Sequence, residues 1–94
     1  MDNRELKSTI EAILFASGEP VSAERISLVL GVSKDEIFRA AKELADELSF
    51  AQRGIRLMRM EESLQLCSAP EYAQSITFAL ERRKPPKLSQ PALE

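Results

Sequence analysis

Through the first fifty positions, apolar residues recur at intervals of three and four, which is the spacing of a helix with one buried stripe. Leu6, Ile10, Ile13, Leu14 and Ser17 fall along one such stripe. Asp2 and Glu5 stand at capping-box spacing just ahead of it, so the first helix is predicted to start at Asp2 or Asn3. Gly18 supplies the left-handed stop and Pro20 forbids continuation.

A second helix is capped by Ser22, with Val21 and Ile26 at the positions of a hydrophobic staple. Val29 and Leu30 are expected to complete its buried face before Gly31 ends it. The device then repeats: Ser33 and Glu36 form a capping box, Val32 and Ile37 a staple. Ile37, Ala41, Leu44 and Leu48 lie within about 60° of one another on a helical wheel, giving the third and longest helix its core-facing side. Only Gly31 and Val32 join these two helices, so they make a tight helix-turn-helix closed by the first helix into a small trihelical core.

After Gly54 the pattern changes to the strand-like run IRLMRM, the tip Glu61-Glu62-Ser63 and the run LQLCSA, which predict a short β-hairpin. The favoured two-residue turns need positive φ, which glutamate disfavours, so the tip leaves the turn type open. Pro70 and Glu71 open a fourth helix with Tyr72, Ile76, Ala79 and Leu80 on one face. Three helices followed by a hairpin is the winged-helix order. The expected fold class is therefore mostly α with a small β-hairpin, a winged helix-turn-helix domain over residues 1–81.

Residues 82–94 read differently. Arg82 to Lys87 form a basic, proline-stiffened connector. Ser89 then resembles a helix N-cap, with Pro91 in the first turn and Ala92, Leu93 and Glu94 as helix formers. This stretch is expected to be a linker and the truncated start of a second winged-helix domain, because so short a helix does not stand alone.

Composition narrows the function. Apolar content of 44% with 30% charged residues describes an ordinary globular chain, and no apolar run approaches the ~20 residues of a bilayer span. The charged start carries no secretory core. A lone cysteine, Cys67, allows no internal disulfide, and the cytoplasm is the default compartment. Without histidine, the usual general base and commonest metal ligand are both missing. Ser22 and Ser33 are accounted for as caps, the carboxylates are scattered, and no glycine-rich loop can hold phosphate. No catalytic site, cofactor site or metal site is expected. Cys67 reads as a small packing residue beside Met58 or Met60.

A helix-turn-helix raises the question of DNA. From Ser33 to Phe50 the basic residues Lys34, Arg39 and Lys42 face Asp35, Glu36, Glu43, Asp46 and Glu47, and the tip adds Glu61 and Glu62. Such a surface repels a phosphate backbone. Arg82, Arg83, Lys84 and Lys87 form the one cationic cluster, suited to weak, salt-sensitive nucleic-acid contact or simply to a solvated linker, since no aromatics interleave it.

Two aromatics sit badly in a monomeric core. Phe15 lies roughly 150° from the centre of the first helix's stripe, and Phe78 about as far from the Tyr72, Ile76 and Leu80 face. Phe15 is expected to be covered by the second and third helices and the wing, with contact to a partner as the alternative. Phe78, beside Leu80 on a terminal helix, is the stronger anchor for a two-fold homodimer, with Phe15 and Tyr72 as further candidates.

The segments IEAILFASGEPVS, ISLVLGVS, RGIRLMRMEESLQLCSAPEYAQSI and, above all, LERRKPPKLSQPALE resemble the N-terminal half of the segregation and condensation protein B family. The resemblance spans nearly the whole chain. It implies two tandem winged-helix domains, homodimerisation through the N-terminal one, and binding to the kleisin, segregation and condensation protein A. Through the kleisin it implies association with the structural-maintenance-of-chromosomes ATPase at the nucleoid, with no enzymatic activity of its own and no membrane contact. The tip, often glycine-containing in that family, and Pro91, where a small residue is expected, depart from the pattern. The runner-up reading is a winged-helix transcriptional regulator, which requires a cationic surface that the third helix and wing lack.

Overall fold

The computed structural model describes residues 1–81, and the linker and second-domain expectation for 82–94 lies outside the described residues. The elements are α1 (Asn3–Ser17), β1 (Val21–Ser22), α2 (Ala23–Leu30), α3 (Lys34–Phe50), β2 (Ile55–Met60), β3 (Ser63–Ser68), a 3-10 turn (Pro70–Tyr72) and α4 (Ala73–Glu81). This is the expected winged helix-turn-helix, helices first and wing after.

Local chemistry sets each boundary. Asp2 accepts from the Glu5 N–H (2.7 Å), Ser22 from Arg25 (3.0 Å) and Ser33 from Glu36 (3.1 Å), so each N-terminus has one of its orphan donors satisfied. Gly18 and Gly31 end α1 and α2 in the left-handed conformation, at φ 71° and 72°. The end of α3 uses the same geometry without glycine. Arg53 N–H bonds Leu48 O and Gln52 N–H bonds Ser49 O (both 3.1 Å), a Schellman cap that forces Gln52 to φ 54°.

Leu6, Ile10 and Leu14 of α1 meet Ala23 and Ile26 of α2, Ile37, Ala40 and Ala41 of α3, and Leu64 of β3 in one core. Among the described residues, Ile10, Leu14, Ile26, Ile37 and Leu64 are the large side chains fully out of water, each stabilising by roughly 1.5–3 kcal/mol. Two expectations about this core are corrected. Val29 is 72% exposed, because the buried stripe of α2 is centred on Ala23, Ile26 and Leu30 and leaves Val29 about 100° away. Ser17 is exposed and donates to Glu19 O (2.9 Å) at the helix end.

The wing is a three-stranded antiparallel sheet in the order β1-β3-β2, one strand more than the predicted hairpin. Val21 and Ser22 pair with Leu64 and Ser63, and Ala23 N–H reaches Glu62 O (2.8 Å), which fastens the start of α2 to the wing. Two residues were too few to show strand alternation in the sequence. The tip is a two-residue turn in which Glu61 is at φ 57° and Glu62 is not at positive φ. A left-handed glutamate costs about 1–2 kcal/mol, offset by nearby contacts: Arg59 Nε donates to Glu61 O (3.0 Å) and its guanidinium lies 3.7 Å over the Phe38 ring.

Candidate protein-interaction surface

The outward face of α3 and the wing tip carry the charges expected from the sequence. Lys34 pairs with Glu62 (3.2 Å) and Lys42 with Asp46 (3.3 Å). Lys7, reaching from α1, bridges Glu47 and Glu43, and Asn3 donates to Glu43 (2.7 Å). The hydrogen bond to Glu47 is the main cause that raises the Lys7 pKa. The hydrogen bond from Asn3, followed by the Lys7 charge, lowers that of Glu43. These pairs tie α1 to α3 and leave the helix-turn-helix surface with an acidic excess, unsuited to a phosphate backbone.

No group of three or more Cys, Asp or Glu side chains among the described residues is placed to hold a metal ion. Cys67 is half-buried on the second long strand of the wing, directly opposite Arg56 and on the same sheet face as Met58 and Met60. The expected methionine neighbourhood thus holds at the level of the sheet face, while the direct cross-strand partner is Arg56. Among the described residues, no helix is long and apolar enough to cross a membrane.

The exposed apolar side chains are where the surface departs from an ordinary monomer. Phe15 is 79% exposed, so the expectation that α2, α3 and the wing cover it is overturned. Those elements all pack on the Leu6, Ile10, Leu14 side of α1, and the Ser8, Glu11, Ala12, Phe15 side faces outward. With Ile55 and Leu66 of the wing, that side lines an open hollow of about 340 Å³. Ile55 and Leu66 did not stand out in the sequence, because strand alternation names a face without saying that part of it overhangs a helix.

On α4 the face expected to carry Tyr72, Ile76, Ala79 and Leu80 is not buried against the body. Tyr72 (41% exposed) sits in the 3-10 turn ahead of the helix, Leu80 is 51% and Phe78 55% exposed, and Ile76 alone is half-buried. Among the described residues the helix packs chiefly on its own leading turn. Phe15 and Phe78 therefore lie on different elements, both accessible. A third apolar spot, Leu28 and Val29, stands on α2. Arg82, Arg83, Lys84 and Lys87 lie outside the described residues.

A winged-helix domain with an acidic helix-turn-helix face and accessible apolar side chains is the class that fold and surface define. The family model for segregation and condensation complex subunit ScpB matches residues 8–94, and the chain belongs to that family. Segregation and condensation protein B of Alkaliphilus metalliredigens is 34% identical over 94 residues, covering all of this chain and 50% of the relative. The chain spans about half the length of the curated relatives it matches. Among solved structures, a dimer of the ScpB N-terminal domain complexed with ScpA peptide matches at a TM-score of 0.76 and 29% identity, over 82% of this chain and 96% of that one. ScpB from Mycobacterium tuberculosis shares the fold at a TM-score of 0.82 and 24% identity, over 87% of this chain and 51% of that one.

Proposed function

We propose that this chain is a non-catalytic subunit of a bacterial chromosome segregation and condensation complex, in which its winged helix pairs with a second copy and binds the kleisin. Attachment to the ATPase runs through the kleisin. The observation that carries this reading is the likeness, over nearly all of that chain, to a domain described as dimeric and complexed with ScpA peptide. The physics of the surface agrees with it, since large apolar side chains stand in solvent. Homodimer anchoring through Phe78, Leu80, Tyr72 and Phe15, and a site of action at the nucleoid in the cytoplasm, belong to the same proposal.

Direct reading of DNA by α3 is the weaker alternative, because the acidic excess of α3 and the wing tip opposes phosphate. Titrating labelled kleisin and, separately, duplex DNA at low and physiological salt decides between them. Saturable kleisin binding with DNA affinity no tighter than the nonspecific range supports the proposal; tight DNA binding with a steep salt slope overturns it.

A further inference from the structure

Helix α4 poses a physical problem within a single copy. It has nine residues, below the length at which an isolated helix is stable in water. From Ala73 to Leu80 it carries no charged side chain, so no ion-paired face suits it to solvent on every side. Yet Phe78 and Leu80 are more than half exposed. Its root, by contrast, is fixed: Ala69 N–H bonds Gly54 O (2.8 Å), and Arg56 holds Glu71 (3.1 Å). Because Ser68 pairs with Ile55, α4 leaves the sheet at the same end where Ile55 borders the Phe15 hollow.

We infer that α4 of each copy seats in the hollow lined by Ala12, Phe15, Ile55 and Leu66 of a second copy, reciprocally about a two-fold axis. This rests on the dimeric reading above and names the surface that makes the dimer. A helix and a hollow that share one end of the domain form a continuous self-complementary patch, as an isologous contact requires. Taking roughly 200 Å² for a fully accessible large side chain, Phe15, Ile55, Tyr72, Phe78 and Leu80 together expose about 500 Å² per copy. Two copies, with the small residues between, reach the ~1,200 Å² at which specific interfaces begin. Charge places no obstacle here, since among the described residues Glu11 is the one ionisable residue lining the hollow and α4 brings none before its last residue. The Leu28 and Val29 spot on α2 stays outside this contact.

Sedimentation equilibrium on the whole chain measures the first consequence. Wild type forms a dimer, Phe15→Glu and Phe78→Glu each weaken it by roughly 30-fold or more, as interface anchors do, and Leu28→Glu changes it by less than about two-fold. Both phenylalanines are exposed, and circular dichroism checks that the variants fold. Cross-linking reads the seating itself. In a Cys67→Ser background, Ala12→Cys mixed with Ala79→Cys forms a covalent dimer with a short bis-maleimide, while Ser49→Cys mixed with Ala79→Cys does not. A wild-type dimer that survives both glutamate variants, or that links through position 49 in place of 12, overturns the seating and leaves the dimeric reading standing. A wild type that stays monomeric, or that associates only when kleisin is added, overturns both.

Discussion

The trihelical body and helix α4 are built from similar proportions of apolar residue, yet only the body closes its main stripes away from water. In the body, every stripe meets another: α1, α2 and α3 converge with β3 on Ile10, Ile26, Ile37 and Leu64, and every helix start carries a side-chain cap. In α4 the apolar residues point in several directions and, among the described residues, meet chiefly the turn that precedes them. The contrast teaches that hydrophobicity alone does not mark a core. A stripe becomes core when a second stripe is within reach, and otherwise it becomes surface that favours association.

That contrast can be tested where it is sharpest. Ile37→Ala, in the middle of the body, is expected to destabilise by about 3–4 kcal/mol through lost burial and an unfilled cavity, read by urea unfolding. A loss below about 1 kcal/mol would mean that the body is not the closed unit described. Removing a cap is a smaller blow: Ser33→Ala leaves the Glu36 N–H without its acceptor and costs about 1 kcal/mol by the same measurement. Gln52→Gly has the opposite sign. It relieves a side chain held at φ 54° in the α3 cap and, net of the added freedom of the unfolded chain, raises stability by about 0.5–1 kcal/mol by urea unfolding.

A weaker effect depends on pH. Glu43 titrates below its ordinary value in the folded chain, so its contribution is complete above the usual carboxylate range and is lost as pH falls through the depressed value. Lys7 titrates above its ordinary value, so its share is complete below about 10.5 and fades only as pH rises past the elevated folded value. Glu43→Gln is therefore expected to flatten the acid side of the stability curve and leave the neutral region nearly level. Thermal unfolding from pH 6 to pH 3 checks this, and an unchanged acid limb would remove Glu43 from the α1–α3 tie. Smallest of all, Phe78→Ala in dilute monomeric solution should change stability by less than about 0.5 kcal/mol, since its side chain lies mostly in water already. At concentrations where copies pair, the same variant should lose the rise of melting temperature with protein concentration that a dimer shows.

Much of the fold was legible because its signals are short-range. Asp2, Ser22 and Ser33 each bond an N–H three residues on, and Gly18 and Gly31 turn the chain at their own φ. The capped end of α3 was harder to see, since Gln52 takes a place that glycine usually advertises. Strand β1 escaped because two residues carry no periodicity, although Val21 had already been singled out as part of a staple. The candidate surface was only half legible. Phe15 and Phe78 stood out as misfits on their wheels, but the cover expected over Phe15 is absent, and Ile55 and Leu66 entered the hollow through the way the wing sits on α1.

By itself the sequence determined where helices begin and stop, which stripe of α1 and α3 is apolar, and the acidic sign of the helix-turn-helix face. Those depend on bonds and charges within a few residues of one another. Only the tertiary structure decided that β1 joins the wing, that Val29 and Phe15 face solvent, and that no element of the described body covers α4. Exposure depends on what other elements bring across space, and the chain's local pattern can present an apolar face without saying whether anything arrives to meet it.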